Sequence, residues 1–232
     1  MAKFCTNCGK KLEEGKACDC TQTKVTSNEN LFNECLEIAK NFFKKPIDTL
    51  EENVNESKLY HALIMIGVNG VAMGLFVIAI AKLLYSTIFL SSGYGSLMSL
   101  AAGANIKIPY FKIFIMTFIS VAVIELLFAA CSYLISNKIF KSNTSIQKMI
   151  TLFGFSTIIL SAAALIAAIL SFMSIYIALF VLAAGSLLKT YYNYKGLEFA
   201  CDTDVNKLGY ILMPSVIIVS LMVGYLLPRI LI

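Results

Sequence analysis

A chain of 232 residues that is 58% hydrophobic, only 14% charged and of mean hydropathy +0.78 excludes an ordinary water-soluble domain. Such a domain is about half apolar and about a quarter charged, and a core of this size could not hide the excess. The lipid bilayer is the solvent that accommodates it. The net charge of +5 is unevenly spread: residues 1–58 hold nine lysines against ten acids, or −1, and residues 59–232 hold ten basic residues against four acids, or +6. A positive membrane part suits anionic headgroups, and no basic cluster interleaved with aromatics points to nucleic acid.

Four of the seven cysteines, Cys5, Cys8, Cys18 and Cys20, fall within sixteen residues, whereas Cys35, Cys131 and Cys201 are scattered. The first residues form a polar, lysine-rich stretch with neither the apolar core nor the cleavage site of a secretory leader. The segment is therefore expected in the reducing cytosol, where clustered thiols favour a metal over disulfides. Two close cysteine pairs with nine residues between them place four thiolates around Zn²⁺ at about 2.3 Å, leaving no open coordination position. One structural zinc ion, without catalytic chemistry, is the expectation for residues 1–21. Gly9 permits the tight turn after the first pair, and Gly15 suits the turn back toward the second. The pair Cys18-Asp19-Cys20 is one residue shorter than the usual C-x-x-C, and a redox dithiol is the alternative reading.

Residues 22–58 read as a linker carrying an amphipathic juxtamembrane helix. After the polar connector Thr21–Asn30, Leu31, Cys35, Ala39 and Phe42 form one apolar row at helical spacing, with Phe32, Leu36 and Phe43 beside it. Ser27 and Asn28 are candidate caps, and Pro46 ends the helix. The stripe either lies on the inner leaflet or packs on the transmembrane bundle. Thr49 and Glu52 fit a capping box opening a second, acidic turn.

Uncharged runs locate the spans in residues 59–232. There are 23 such residues between Lys58 and Lys82, 25 between Lys112 and Lys138 broken only by Glu125, 40 between Lys148 and Lys189, and 21 between Lys207 and Arg229. About 20 residues cross the hydrocarbon core, so the longest run is a hairpin turning near Ser171–Ser174. Five spans follow, at about 59–81, 110–136, 149–169, 173–191 and 209–231. The fold class is thus an all-α polytopic membrane protein, a five-helix transmembrane bundle with a small N-terminal zinc ribbon. Lysines before the first span and in the loops 137–148 and 189–208 place the N-terminus in the cytoplasm and the C-terminus outside. The 83–109 loop then faces outward, and Tyr191, Tyr192 and Tyr194 sit where an inner aromatic belt would lie.

Two resemblances cover nearly the whole chain. Phe4 to Cys20 resembles the short zinc-ribbon module that prefaces many bacterial membrane proteins. The remainder resembles the Yip (Ypt-interacting protein) family of five-span membrane proteins, through Asn41-Phe42-Phe43-Lys44-Lys45-Pro46, the span count and Cys201-Asp202-Thr203-Asp204. The resemblance implies an integral protein of the bacterial cytoplasmic membrane and no enzymatic residues; in eukaryotes the family is linked with small GTPases and membrane traffic.

The sequence itself carries no P-loop, nucleophile elbow or HExxH motif. Glu125, the one acid inside a span, reads either as an ion or proton site or as a neutral carboxyl bonded to a neighbour, with no second intramembrane charge expected beside it. Gly67, Gly70 and Gly74 give the first span a small-residue face, for a homo-oligomer seam or for packing within the bundle. Asn69 is placed to hydrogen-bond across helices. His61 sits at the membrane edge, and Pro214 is expected to kink the last span. Cys35, Cys131 and Cys201 read as small apolar residues, and Glu198, Asp202 and Asp204 as a solvated loop. The leading function is a non-enzymatic membrane scaffold that recruits a cytosolic protein partner through its ribbon; the alternative is a small permease or channel using Glu125.

Overall fold

The computed structural model describes residues 3–4, 11–12, 28–85, 108–201 and 205–231. Near the N-terminus two short strands, β1 (Lys3–Phe4) and β2 (Lys11–Leu12), pair antiparallel with Lys3 opposite Leu12 and Phe4 opposite Lys11. Two juxtamembrane helices follow, α1 (Asn28–Lys44) and α2 (Pro46–Asn53), and then a single 3₁₀ turn at Glu56–Lys58. Pro46 ends the first helix and opens the second: its missing N–H is harmless at a first helical position. Thr49 is therefore inside α2 and caps nothing. Its hydroxyl donates to the Lys45 carbonyl at 2.8 Å, correcting the capping-box expectation.

Five long helices come next: α3 (Leu59–Tyr85), α4 (Tyr110–Lys138), α5 (Ile146–Leu170), α6 (Ile175–Ala200) and α7 (Val205–Leu231). Each is long and apolar enough to cross a bilayer. The expected spans stand, though α6 runs nine residues further than its apolar stretch suggested, so most of the 189–208 loop is helix. The hairpin between α5 and α6 turns over Ser171–Ser174, where the Ser171 hydroxyl donates to the Ala168 carbonyl at 2.7 Å. A freed backbone carbonyl near a membrane face is thereby satisfied.

The bundle is organised around α5, which packs on α3, α4 and α6; α7 lies outermost, mainly against α4. Residues 151–158 of α5 are all buried, so this helix is enclosed on every side at one end. Lipid supplies no hydrophobic drive between spans, and close approach through small residues takes its place. A Cβ on Gly154 would lie 2.7 Å from both the Cβ and the carbonyl oxygen of Ala62, so α3 and α5 meet there nearly backbone to backbone. On α3, a Cβ on Gly70 or Gly74 would meet the rings of Phe118 or Phe114 at 2.8 and 2.6 Å. These two glycines accommodate the aromatics of α4 inside the bundle.

Hydroxyls and amides tie the spans together. Ser132 of α4 donates to Ser215 of α7 at 3.0 Å, and Thr157 of α5 reaches the Met65 carbonyl of α3 at 3.3 Å. Asn69 Oδ1 lies 3.3 Å from the Ser161 hydroxyl, which also bonds the Thr157 carbonyl at 2.8 Å. A hydroxyl has one hydrogen to share between these acceptors. The helix α7 continues through Pro214, where the Ser215 hydroxyl donates to the Ile211 carbonyl at 2.7 Å.

Candidate functional site

Two polar clusters stand out, one at the lysine-rich end of the bundle and one within the membrane. The first is built by α1. Its row Cys35, Ile38 and Phe42 is buried in the same apolar core as Leu50 of α2, Met149 and Leu152 of α5 and Leu197 of α6. Phe42 meets Tyr192 of α6 edge-to-face at 5.2 Å. Next to Cys35 in the chain, the Glu34 carboxylate accepts from Lys58 Nζ at 2.9 Å and from His61 Nε2 at 2.8 Å. Hydrogen bonds from Lys58 and then His61 hold the Glu34 carboxyl below its ordinary value of 4.5. His61 is buried, with Nδ1 lacking a partner. The amphipathic stripe is thus divided: one row packs on the bundle while Phe32, Leu36 and Phe43 remain exposed.

The turn between α4 and α5 completes this end. Lys141 adopts a left-handed backbone (φ 54°), a rare conformation for a residue with a side chain. The Asn137 side chain holds Thr144 from both sides, donating to its carbonyl at 2.7 Å and accepting its N–H at 3.2 Å. Thr144 in turn donates to the Ala200 carbonyl at 3.0 Å, fastening the turn to the end of α6. Burial raises the pKa of the neighbouring Cys201 thiol, against the opposing effect of the Thr144, Ser142 and Ser136 hydroxyls. Desolvation likewise raises that of Cys35. Both therefore stay neutral and unreactive at pH 7. Cys35, Cys131 and Cys201 are all free thiols.

The second cluster contradicts the expectation that Glu125 has no charged partner. The Lys189 ammonium of α6 donates to Glu125 Oε1 of α4, with the residues 8% and 3% exposed. Lys189 lies eleven residues before the end of α6 and Glu125 thirteen before the end of α4. At 1.5 Å per residue these are depths of roughly 16 and 20 Å from those ends. Lys189 also rests 5.9 Å from the centroid of Phe128, which stacks on Phe153 of α5. Glu125 Oε2 and Asn193 Oδ1, the latter one turn beyond Lys189, are buried without partners. In the sequence Lys189 ends the uncharged run and so marks a loop flank. The signal against that reading was Tyr191, Tyr192 and Tyr194, which follow it and place it on the membrane side of the aromatic belt.

Other expected site residues divide. Cys5, Cys8, Cys18 and Cys20 lie outside the described residues, as do Ser27, most of the 83–109 loop, Asp202 and Asp204. Glu198 is bonded to Lys195 at 2.9 Å. Among the described residues no group of three metal-ligating side chains comes together.

Among the described residues, five membrane-length helices, three of them packed on α5, with an ion pair in the interior, define a multi-pass membrane protein. The family model described as the Yip1 domain matches residues 40–227. The chain belongs to that family. No curated protein and no solved structure matches it.

Proposed function

We propose that the chain is a non-enzymatic scaffold of a bacterial cytoplasmic membrane, whose N-terminal ribbon holds one structural Zn²⁺ and recruits a cytosolic protein to the inner leaflet. The carrying observation is that α1 and α2 are fastened to the bundle by Phe42, Leu50 and the Glu34–Lys58–His61 cluster. Whatever precedes residue 28 thus departs from a fixed point at the lysine-rich end. Cys5, Cys8, Cys18 and Cys20 are the donors that would hold the ion; four thiolates supply rigidity and no open site. Lysines at this end of the bundle support a cytoplasmic N-terminus and an outward C-terminus. The permease reading is weakened because Glu125 is compensated by Lys189, as expected of a buried structural pair.

The test compares wild type with Cys8→Ser, purified whole in mild detergent, by metal analysis and by mass spectrometry of co-purifying proteins. Wild type should carry about one zinc per chain and a partner that Cys8→Ser loses, while both retain the same helical content. A zinc-free wild type, or an unchanged set of partners, would overturn the reading. Proton or cation flux in wild-type vesicles that disappears in a folded Glu125 variant would replace it with the permease.

A further inference from the structure

The exposed half of the α1 stripe has a definite position relative to the membrane. Glu34 touches the start of α3, and Phe42, eight residues later, touches α6 at Tyr192. Eight residues of helix span about 12 Å, so α1 lies across two spans and not along one. Tyr192 precedes the end of α6 by eight residues, and the Phe42 end of α1 is held at that level. There Phe43 meets Phe42 at 6.5 Å, and Tyr191 meets Tyr192 at 5.5 Å, a continuous aromatic group at one level of the bundle. Such belts sit at the headgroup boundary.

Phe32, Leu36 and Phe43 are 60%, 43% and 57% exposed. At 3.6 residues per turn they lie within roughly 40° of one another, directly beside the buried row. Lys40 and Lys44 begin roughly 40° beyond them, and Lys45 follows; all three are exposed. Glu37 follows Lys44 by roughly 20° more, and Glu34, bonded to Lys58 and His61, lies roughly 60° beyond Glu37. An exposed apolar row flanked by lysines on its water side is what an interfacial helix presents to anionic lipid. Lysine stems lie along the acyl boundary while their ammonium groups reach the headgroups.

We propose that α1 is a membrane-interface helix: Phe32, Leu36 and Phe43 enter the leaflet at the lysine-rich end, with Lys40, Lys44 and Lys45 on its anionic headgroups. One half of the apolar stripe is covered by the protein and the other by lipid. The lipid composition of that leaflet then acts on the helix from which the N-terminal segment departs. The assignment needs only the membrane-spanning bundle and stands apart from the scaffold reading.

The chain contains no tryptophan, so Phe43→Trp or Phe32→Trp introduces a single reporter at little structural cost. The full chain is placed in nanodiscs of phosphatidylcholine with brominated acyl chains, with and without phosphatidylglycerol. Bromolipid should remove most of the emission of both variants, and aqueous iodide should remove little. Asn33→Trp, on the polar side, should show the reverse. Quenching of Phe43→Trp and Phe32→Trp by iodide alone would overturn the proposal, since the row would face water. Quenching by neither would also overturn it, because a protein would then cover the row. Changing Lys40, Lys44 and Lys45 together to Gln should reduce bromolipid quenching in the anionic discs and leave it nearly unchanged in the zwitterionic ones. Equal quenching before and after that change would remove the headgroup role of the lysines.

Discussion

Glu125–Lys189 and Glu34–Lys58 are the same chemistry in two solvents. The first is enclosed by spans, with both partners buried; in the second, Glu34 is 41% exposed and Lys58 28%. Coulomb attraction rises as the local dielectric falls, but so does the cost of removing each ion from water. The inner pair therefore adds little over a well-packed apolar pair, yet breaking it is severe. The outer pair is weak in both directions, screened by water and salt. What distinguishes the two is the penalty for leaving one partner alone.

The comparison breaks most visibly at Lys189. Lys189→Met should strand the Glu125 carboxylate and cost about 3–5 kcal/mol, measured by unfolding in mixed detergent micelles. Glu125→Gln should destabilise comparably by stranding the lysine, although it keeps the shape of the side chain. The double variant Glu125→Leu with Lys189→Met should regain most of the loss. A double variant as unstable as either single one would mean that the pair contributes more than mutual compensation.

At the outer cluster Glu34→Gln should cost less than about 1 kcal/mol globally. Its effect should be local: faster hydrogen exchange in α1 with the five spans unchanged. Equal exchange in variant and wild type would show that apolar packing by Ile38 and Phe42 holds α1 without the cluster.

The smallest effect is a pH dependence. The Glu34 carboxyl is held below its ordinary 4.5 in the folded chain, first by the Lys58 hydrogen bond and then by that of His61. Its contribution is fully present above about 4.5 and is lost as pH falls through the lower folded value. Protection of α1 amides should thus be flat near neutrality and decline below about pH 4.5, and Glu34→Gln should abolish the decline. A decline unaffected by that change would place the titrating group elsewhere.

The membrane class and the positions of five spans follow from composition and uncharged runs. The bilayer demands long apolar segments whatever their partners, so that information is local in sequence. The split of 149–188 into two spans at Ser171–Ser174 is of the same kind, set by bilayer thickness. Pro46 likewise marks its helix boundary by itself, because a ring without an N–H acts on its own backbone. Partners were not local. Lys189 stands 64 residues from Glu125, and Lys58 and His61 stand 24 and 27 from Glu34. No spacing rule connects residues on different helices. The sequence likewise left Gly70 and Gly74 open between an oligomer seam and internal packing, and it left the α1 stripe open between leaflet and bundle. Only the tertiary arrangement, which brings Phe118 and Phe114 onto those glycines and buries Phe42 while exposing Phe43, placed the glycines in internal packing and one row of the stripe on the bundle, because burial depends on which helices become neighbours.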